Sequence, residues 1–379
     1  MSRHRLWSVV AVFAILAAIV SACAPAAQPQ TQPAQATQAP AQAQAQPAQA
    51  TAAPAAGAAK PYKVGVLWDF LQVERRVKAK DYLEAEAKRL GFDIVFQNAN
   101  GDEKLQLQQA ENLITQGVDM IVILPQNADA ACPVIEQAHQ AKIKVVAFDR
   151  LISKCDLDYY IGFNNDVIGD MMAKYVYALK PDGNWAMVNG APTDPNVKQY
   201  RDGWLRVIQK AIDSGAIKMV SDTYTEGWKP DNAMKAAENF LTANKDKIDV
   251  VLAMNDGTGG GVVQALKARD LNGKVLVTGQ DGDLAAVQRI AAGDQAMTVW
   301  KPDDKMANVL AESILKILKG EQLPDVSTTD NKFKKVPSVL LVPVTVDKKN
   351  ICDTVVASGY LKLEDIYKNI SKDQWPACK

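Results

Sequence analysis

Short apolar runs alternate with longer amphipathic stretches along this chain, and each apolar run stops on polar residues. VGVLWDF ends at Asp69, MIVILPQNAD at Gln126 and Asn127, KVVAFDR at Asp149 and Arg150, and YYIGFNND at Asn164 and Asn165. NWAMVNGAPTD ends at Asp194, DVVLAMND at Asn255 and Asp256, KVLVTGQDGD at Gln280 and Asp281, and AMTVWKPDD at Lys301. Runs this short and this rich in β-branched residues read as buried strands. The stretches between them carry a helical period. Glu74 to Leu90, for example, sets Val77, Tyr82, Leu83 and Ala87 among charges and stops at Gly91.

This spacing predicts strands near 63–68, 93–97, 119–124 and 144–148, with helices near 74–90, 103–117 and 130–142. Residues 164–300 repeat the scheme, with helices near 166–179, 195–213, 231–244, 258–268 and 283–292. A helix over 303–319 and a strand over 338–346 follow. Strand–helix alternation implies parallel sheets with right-handed crossovers, so the expected fold is α/β, two Rossmann-like lobes facing each other. The stretch from Asp249 to Leu266 is the most informative, with Thr258 expected as a helix N-cap and small residues that let the helix start close to its strand. Polar side chains at the carboxyl ends of parallel strands mark a ligand cleft.

Length and composition add two bounds. With 379 residues, 48% of them hydrophobic, the chain can fill two cores. Lys+Arg and Asp+Glu both number 43, so neither nucleic acid nor an anionic membrane surface is expected as a partner.

The first 60 residues stand outside the pattern. Arg3 and Arg5 precede the apolar segment Leu6 to Ile19, and Val20-Ser21-Ala22-Cys23 follows. This is the layout of an export signal over 1–22, and its end resembles a bacterial lipobox in which Cys23 is lipidated. A plain signal peptide or an uncleaved anchor helix is the competing reading. Residues 24–60 are almost entirely Ala, Pro, Gln and Thr, which cannot bury enough surface to order themselves, and read as a tether over 23–60. The expected location is therefore extracytoplasmic, anchored to a membrane by lipid. Four cysteines remain in the globule. Three pairings are open to them in an oxidising compartment, and locality favours Cys132 with Cys155 and Cys352 with Cys378.

Several chemistries are disfavoured. The globule has one histidine, His139, in a polar helical stretch where a surface position is expected. A Ser-His-Asp triad would have to use it, and no G-x-S-x-G elbow exists. Cysteine and histidine spacings fit no zinc site. Gly257-Thr258-Gly259-Gly260-Gly261 lacks the Lys-Ser/Thr of a phosphate loop, and Val262 stands where a dinucleotide fingerprint needs glycine. Those glycines read as helix-packing positions. No enzymatic activity, cofactor or metal is expected.

LQVERR (71–76), FQNANGDE (96–103), AFDR (147–150), APTDPN (191–196), EGWKPDNA (226–233), AMNDGTGGG (253–261), GQDGDLA (279–285) and MTVWKP (297–302) together resemble the periplasmic sugar-binding proteins of ABC transporters. The resemblance covers about residues 63–360. It implies the type I periplasmic binding protein fold, two lobes joined by a three-segment hinge with a sugar enclosed between them. The lobes would comprise 61–163 plus 302–335, and 164–301 plus 336–379. It further implies that Arg75, Asp149, Arg150, Asp194, Asn196, Asn255, Asp281 and Lys301 contact the sugar and that Trp228 stacks on its ring. The implied ligand is a monosaccharide, D-xylose foremost, and the implied partner of a monomeric chain is an ABC permease. An extracytoplasmic sensor presenting its closed form to a membrane receptor or kinase is the alternative. The long tether, the four globule cysteines and the tail after Gly359 depart from the family.

Overall fold

Strand β1 (Lys63–Trp68) sends successive side chains to opposite faces, and both faces are apolar. Val64, Val66 and Trp68 pack with Ala79, Leu83 and Ala87 of α1 (Glu74–Leu90). Leu67 on the other face packs with Leu113 of α2 (Glu103–Thr115) and with Val134 and Ile135 of α3 (Cys132–Gln140). A strand covered on both faces must lie inside a parallel sheet between helices. The computed structural model, which describes residues 60–324 and 326–378, has this arrangement. The leader, Cys23 and the tether up to residue 59 lie outside the described residues.

The first lobe adds β2 (Asp93–Asn98), β3 (Met120–Ile123), β4 (Lys144–Phe148) and β5 (Tyr159–Phe163). The chain then crosses into the second lobe. There α4 (Asn165–Leu179), β6 (Gly183–Asn189), α5 (Pro195–Asp213), β7 (Ile217–Tyr224), α6 (Pro230–Ala243), β8 (Val250–Ala253) and α7 (Asp256–Lys267) repeat the alternation. Short strands β9 (Leu276–Val277) and β10 (Gln280–Asp281), helix α8 (Leu284–Ala292) and β11 (Met297–Trp300) complete it. Helix α9 (Asp303–Leu318) returns to pack beside α1, and β12 (Ser327–Asp330) and β13 (Lys335–Leu341) join the first sheet. Strand β14 (Val344–Asp347) lies back in the second lobe, followed by a π-helical turn at Cys352–Val356 and α10 (Leu363–Ile366).

The first sheet has the order β12-β13-β5-β4-β3-β1-β2. The second lobe carries β7-β6-β8-β9 and β10-β11-β14. All pairings are parallel except β12 with β13 and β11 with β14. These two antiparallel pairs depart from the purely parallel expectation. The strand expected over 338–346 is in fact two, one in each lobe, separated at Val342 and Pro343. The third crossing therefore falls there rather than at 336, because β13 pairs with β5 through Leu341. Proline has no N–H for a ladder, which suits the break between sheets.

Both expected disulfides are present, with Cα–Cα distances of 5.6 Å for Cys132–Cys155 and 5.1 Å for Cys352–Cys378. The second staples the tail, whose Tyr360 lies 5.2 Å from the Trp300 ring. Helix α7 is capped by Asn255, not Thr258. The Asn255 carboxamide oxygen accepts from Thr258 N at 2.9 Å, while the Thr258 hydroxyl reaches back to Asn255 N at 3.2 Å. The reciprocal box satisfies two otherwise unpaired donors and moves the helix start to Asp256. The glycines behind it do pack helices: a Cβ on Gly261 would lie 2.2 Å from the Pro230 carbonyl of α6.

Candidate functional site

The carboxyl ends of strands from both lobes meet at one cavity. All nine residues expected to contact ligand line it: Arg75, Asp149, Arg150, Asp194, Asn196, Trp228, Asn255, Asp281 and Lys301. Topology explains the convergence. Asp149 and Arg150 follow β4, Asn255 and Asp281 stand at the ends of β8 and β10, and Lys301 follows β11. Asp194 caps α5 by accepting from Asn196 N at 2.9 Å, and Arg75 occupies the first turn of α1. The remaining polar strand ends do other work. Asn127 donates to Glu103, and Asn165 donates to Asn196 at 2.8 Å.

Asp149 is the centre of an ion lattice. It receives Arg75 Nη1 at 3.2 Å and Arg76 Nη1 at 2.8 Å, with Lys301 Nζ at 3.4 Å. Burial alone would raise its pKa. Lys301, Arg75, Arg76 and Arg150 overcome that and hold the carboxyl well below the usual aspartate range. Arg75 continues to Asp303 at 2.8 Å and to Asp281 at 3.6 Å. Arg150 binds Asp194 at 2.6 Å, Asp69 at 2.8 Å and the Pro125 carbonyl at 2.9 Å. Burial, with Arg75 nearby, pushes the Lys301 amine down against the pull of Asp149 and Asp281. Burial pushes Asp303 up to about 6 in spite of Arg75. Four cations (Arg75, Arg76, Arg150, Lys301) thus face five carboxylates (Asp69, Asp149, Asp194, Asp281, Asp303). Such a near-balance offers donors and acceptors together without a field that would gather an ion.

Several pairs bridge the lobes: Arg150 with Asp194, Arg75 with Asp281, Lys301 with Asp149, and Asn196 Nδ2 donating to the Asp149 carbonyl at 3.2 Å. Three lining residues adopt positive φ, Asp149 at 62°, Trp228 at 58° and Asp281 at 120°. Each such conformation costs on the order of 1–3 kcal/mol, and strain of this kind collects at ligand sites. Trp228 lies flat against Gly190, where a Cβ would stand 2.2 Å from its ring. Only glycine fits beneath it.

The sequence marked Asp69 and Gln280 as polar strand ends without placing them among the ligand contacts, and it did not single out Arg76, Tyr200 or Asp303. Arg76 adjoins Arg75 in the quoted motif, and neighbouring helix positions ordinarily point about 100° apart. In the first turn of α1 both still reach Asp149. Tyr200 did carry a signal, since it stands one turn after Asn196 on α5 and so shares its face. Its hydroxyl donates to Asn165 at 3.1 Å. His139 is part-buried rather than fully exposed, bound to Asp158 at 2.8 Å, and is not a lining residue. Among the described residues, no group of three His, Cys, Asp or Glu side chains is placed to hold a metal ion.

The pattern of the periplasmic binding protein domain family matches residues 64–322. The chain is 44% identical over 304 residues to the D-xylose-binding periplasmic protein of Escherichia coli, covering 80% of this chain and 92% of that one. It is 43% identical to the D-xylose-binding periplasmic protein of Haemophilus influenzae over 305 residues, again 80% and 92%. An ABC transporter solute-binding protein from Clostridium phytofermentans, solved with bound β-D-glucose, superposes with a TM-score of 0.74 at 29% identity, covering 80% of this chain and 99% of that one. This chain is a binding protein rather than an enzyme, and it belongs to the periplasmic binding protein domain family.

Proposed function

We propose that the chain is the substrate-binding lipoprotein of an ABC sugar importer, closing around one monosaccharide, D-xylose foremost. The observation that carries the reading is the convergence of nine polar and aromatic residues from both lobes on one cavity. A neutral sugar presents hydroxyls that donate and accept. Carboxylates, amides and guanidinium groups in fixed directions match both roles. The Trp228 indole supplies a face for the ring's C–H groups. Each charge-assisted bond contributes about 1.5–3 kcal/mol net, so a few cover the roughly 8 kcal/mol of a micromolar site. The names of the bacterial relatives support xylose, and the glucose-bound structure makes hexoses the competitor to test.

A thermal-shift panel of pentoses and hexoses tests the reading. A sugar at 100 times its Kd stabilises by about 2.7 kcal/mol, and D-xylose should give the largest rise. A flat panel would remove the sugar assignment. The lipid anchor rests on the Val-Ser-Ala-Cys junction. Cys23→Ser should release the protein from membranes with sugar affinity unchanged, whereas a variant that stays in the membrane fraction argues for an uncleaved helix.

A further inference from the structure

The sugar cavity does not end the cleft. A second, outer cavity adjoins it, and Phe70, Val73, Trp228 and Asn255 line both. Its walls also come from both lobes. Gln126, after β3, belongs to the first, and Asp283, which caps α8, belongs to the second. Three lining side chains carry a buried polar atom with no protein partner: Gln126 Oε1, Trp228 Nε1 and Asp283 Oδ1. Two of these residues, Trp228 and Asp283, are each only 7% exposed. A buried polar atom left unpaired is costly, so a native cleft that keeps three in this condition is suited to a ligand that pairs them.

We infer that the cleft accepts a disaccharide, with one ring among Arg75, Asp149 and Asp281 and the second in the outer cavity against Gln126, Trp228 and Asp283. This rests on the monosaccharide reading above and extends its ligand class. Mixed donors and acceptors beside the Phe70, Val73 and Trp228 surfaces repeat the chemistry that recognises the first ring. Because four residues wall both cavities, the rings are proposed as the two halves of one linked dimer rather than as two free sugars. The free reducing sugar and its dimer would then compete for one site.

Calorimetry on the full chain with D-xylose, D-glucose and the β-1,4-linked dimer of each tests this. The dimer should bind one to one and displace the monosaccharide. Among the described residues the Gln126 side chain makes no hydrogen bond, and its backbone N–H, which donates to Gln106, is kept in Gln126→Ala. It should weaken the dimer about tenfold, the value of one hydrogen bond of about 1.4 kcal/mol, and leave the monosaccharide within about twofold. A monosaccharide that binds while its dimer fails to displace it overturns the inference and spares the reading beneath it. Equal weakening of both sugars by Gln126→Ala also overturns it. If no sugar binds, the inference and the reading fall together.

Discussion

Asp149 shows how much one residue is asked to do in this site. It holds a left-handed backbone, receives Arg75, Arg76 and Lys301, and offers its carbonyl to Asn196 and Tyr160. Asp281 is its counterpart in the second lobe, near Arg75 and Lys301 at 3.6 and 3.7 Å. Asp281→Ala would leave buried donors on protein and ligand unpaired, at about 1–3 kcal/mol apiece. Sugar affinity should fall about thirtyfold or more by calorimetry, and the unliganded protein, in which Asp281 is buried beside Arg75 and Lys301, should melt somewhat lower. Parental affinity in this variant would remove Asp281 from the ligand set. Other carboxyls respond to pH in an unusual sense. Burial, reinforced by Asp281, raises Asp256 to about 7, and burial raises Asp303 to about 6, both from an ordinary 3.8. A raised folded pKa means that the native state holds the extra proton. The stability this gives is present in full below about 4 and is lost as pH rises through 6 to 7. Groups held low, such as Asp149, act only below their ordinary value and leave that window clear. The melting temperature should therefore decline as pH rises from about 4.5 through 7. A curve that rises across this window contradicts these assignments. Asp149, Arg150, Asp194, Asn255, Asp281 and Lys301 were legible as polar strand ends, whereas Arg75, Asn196 and Trp228 were expected only from the family resemblance. Asp303 was neither, since nothing in Lys301-Pro302-Asp303 says that a helix start two residues past the hinge turns back onto Arg75.

Helix α7 was legible as an element and misread at its start. The notable small residues after Asn255 drew attention to Thr258, while the reciprocal cap made by Asn255 begins the helix earlier. Its glycines have a clear packing role. A methyl group at Gly261 would meet backbone on two sides, the Pro230 carbonyl at 2.2 Å and Met234 N at 3.0 Å. Alanine gains about 1 kcal/mol of helix propensity there, but backbone cannot rotate aside, and overpacking costs about 1–3 kcal/mol. Gly261→Ala should lower the melting temperature and leave sugar affinity near parental, since Gly261 does not line the sugar cavity. An unchanged or higher melting point would mean that α6 and α7 separate freely. Strands β13 and β14 were illegible as a pair. The run SVLLVPVTV is apolar throughout, and no periodicity tells one long strand from two short ones in different sheets. Only pairing partners, which are long-range, decide it.

At the scale of the molecule, the two-lobe α/β plan was legible because alternating strands and helices leave few topologies open. The cross-lobe lattice was not, because sequence carries no distance between residues such as Arg150 and Asp194. In the function proposed above, that lattice carries the mechanism. A ligand gripped by groups of both lobes binds the closed arrangement better than the open one and must shift the population toward closure. The most direct test is small-angle scattering of the full chain with and without saturating sugar. The account predicts a smaller radius of gyration with D-xylose than without it, and no such change in the Asp281→Ala variant at the same concentration. If D-xylose, D-ribose, L-arabinose, D-glucose and D-galactose all leave the radius of gyration unaltered, closure on a monosaccharide is not what this cleft does.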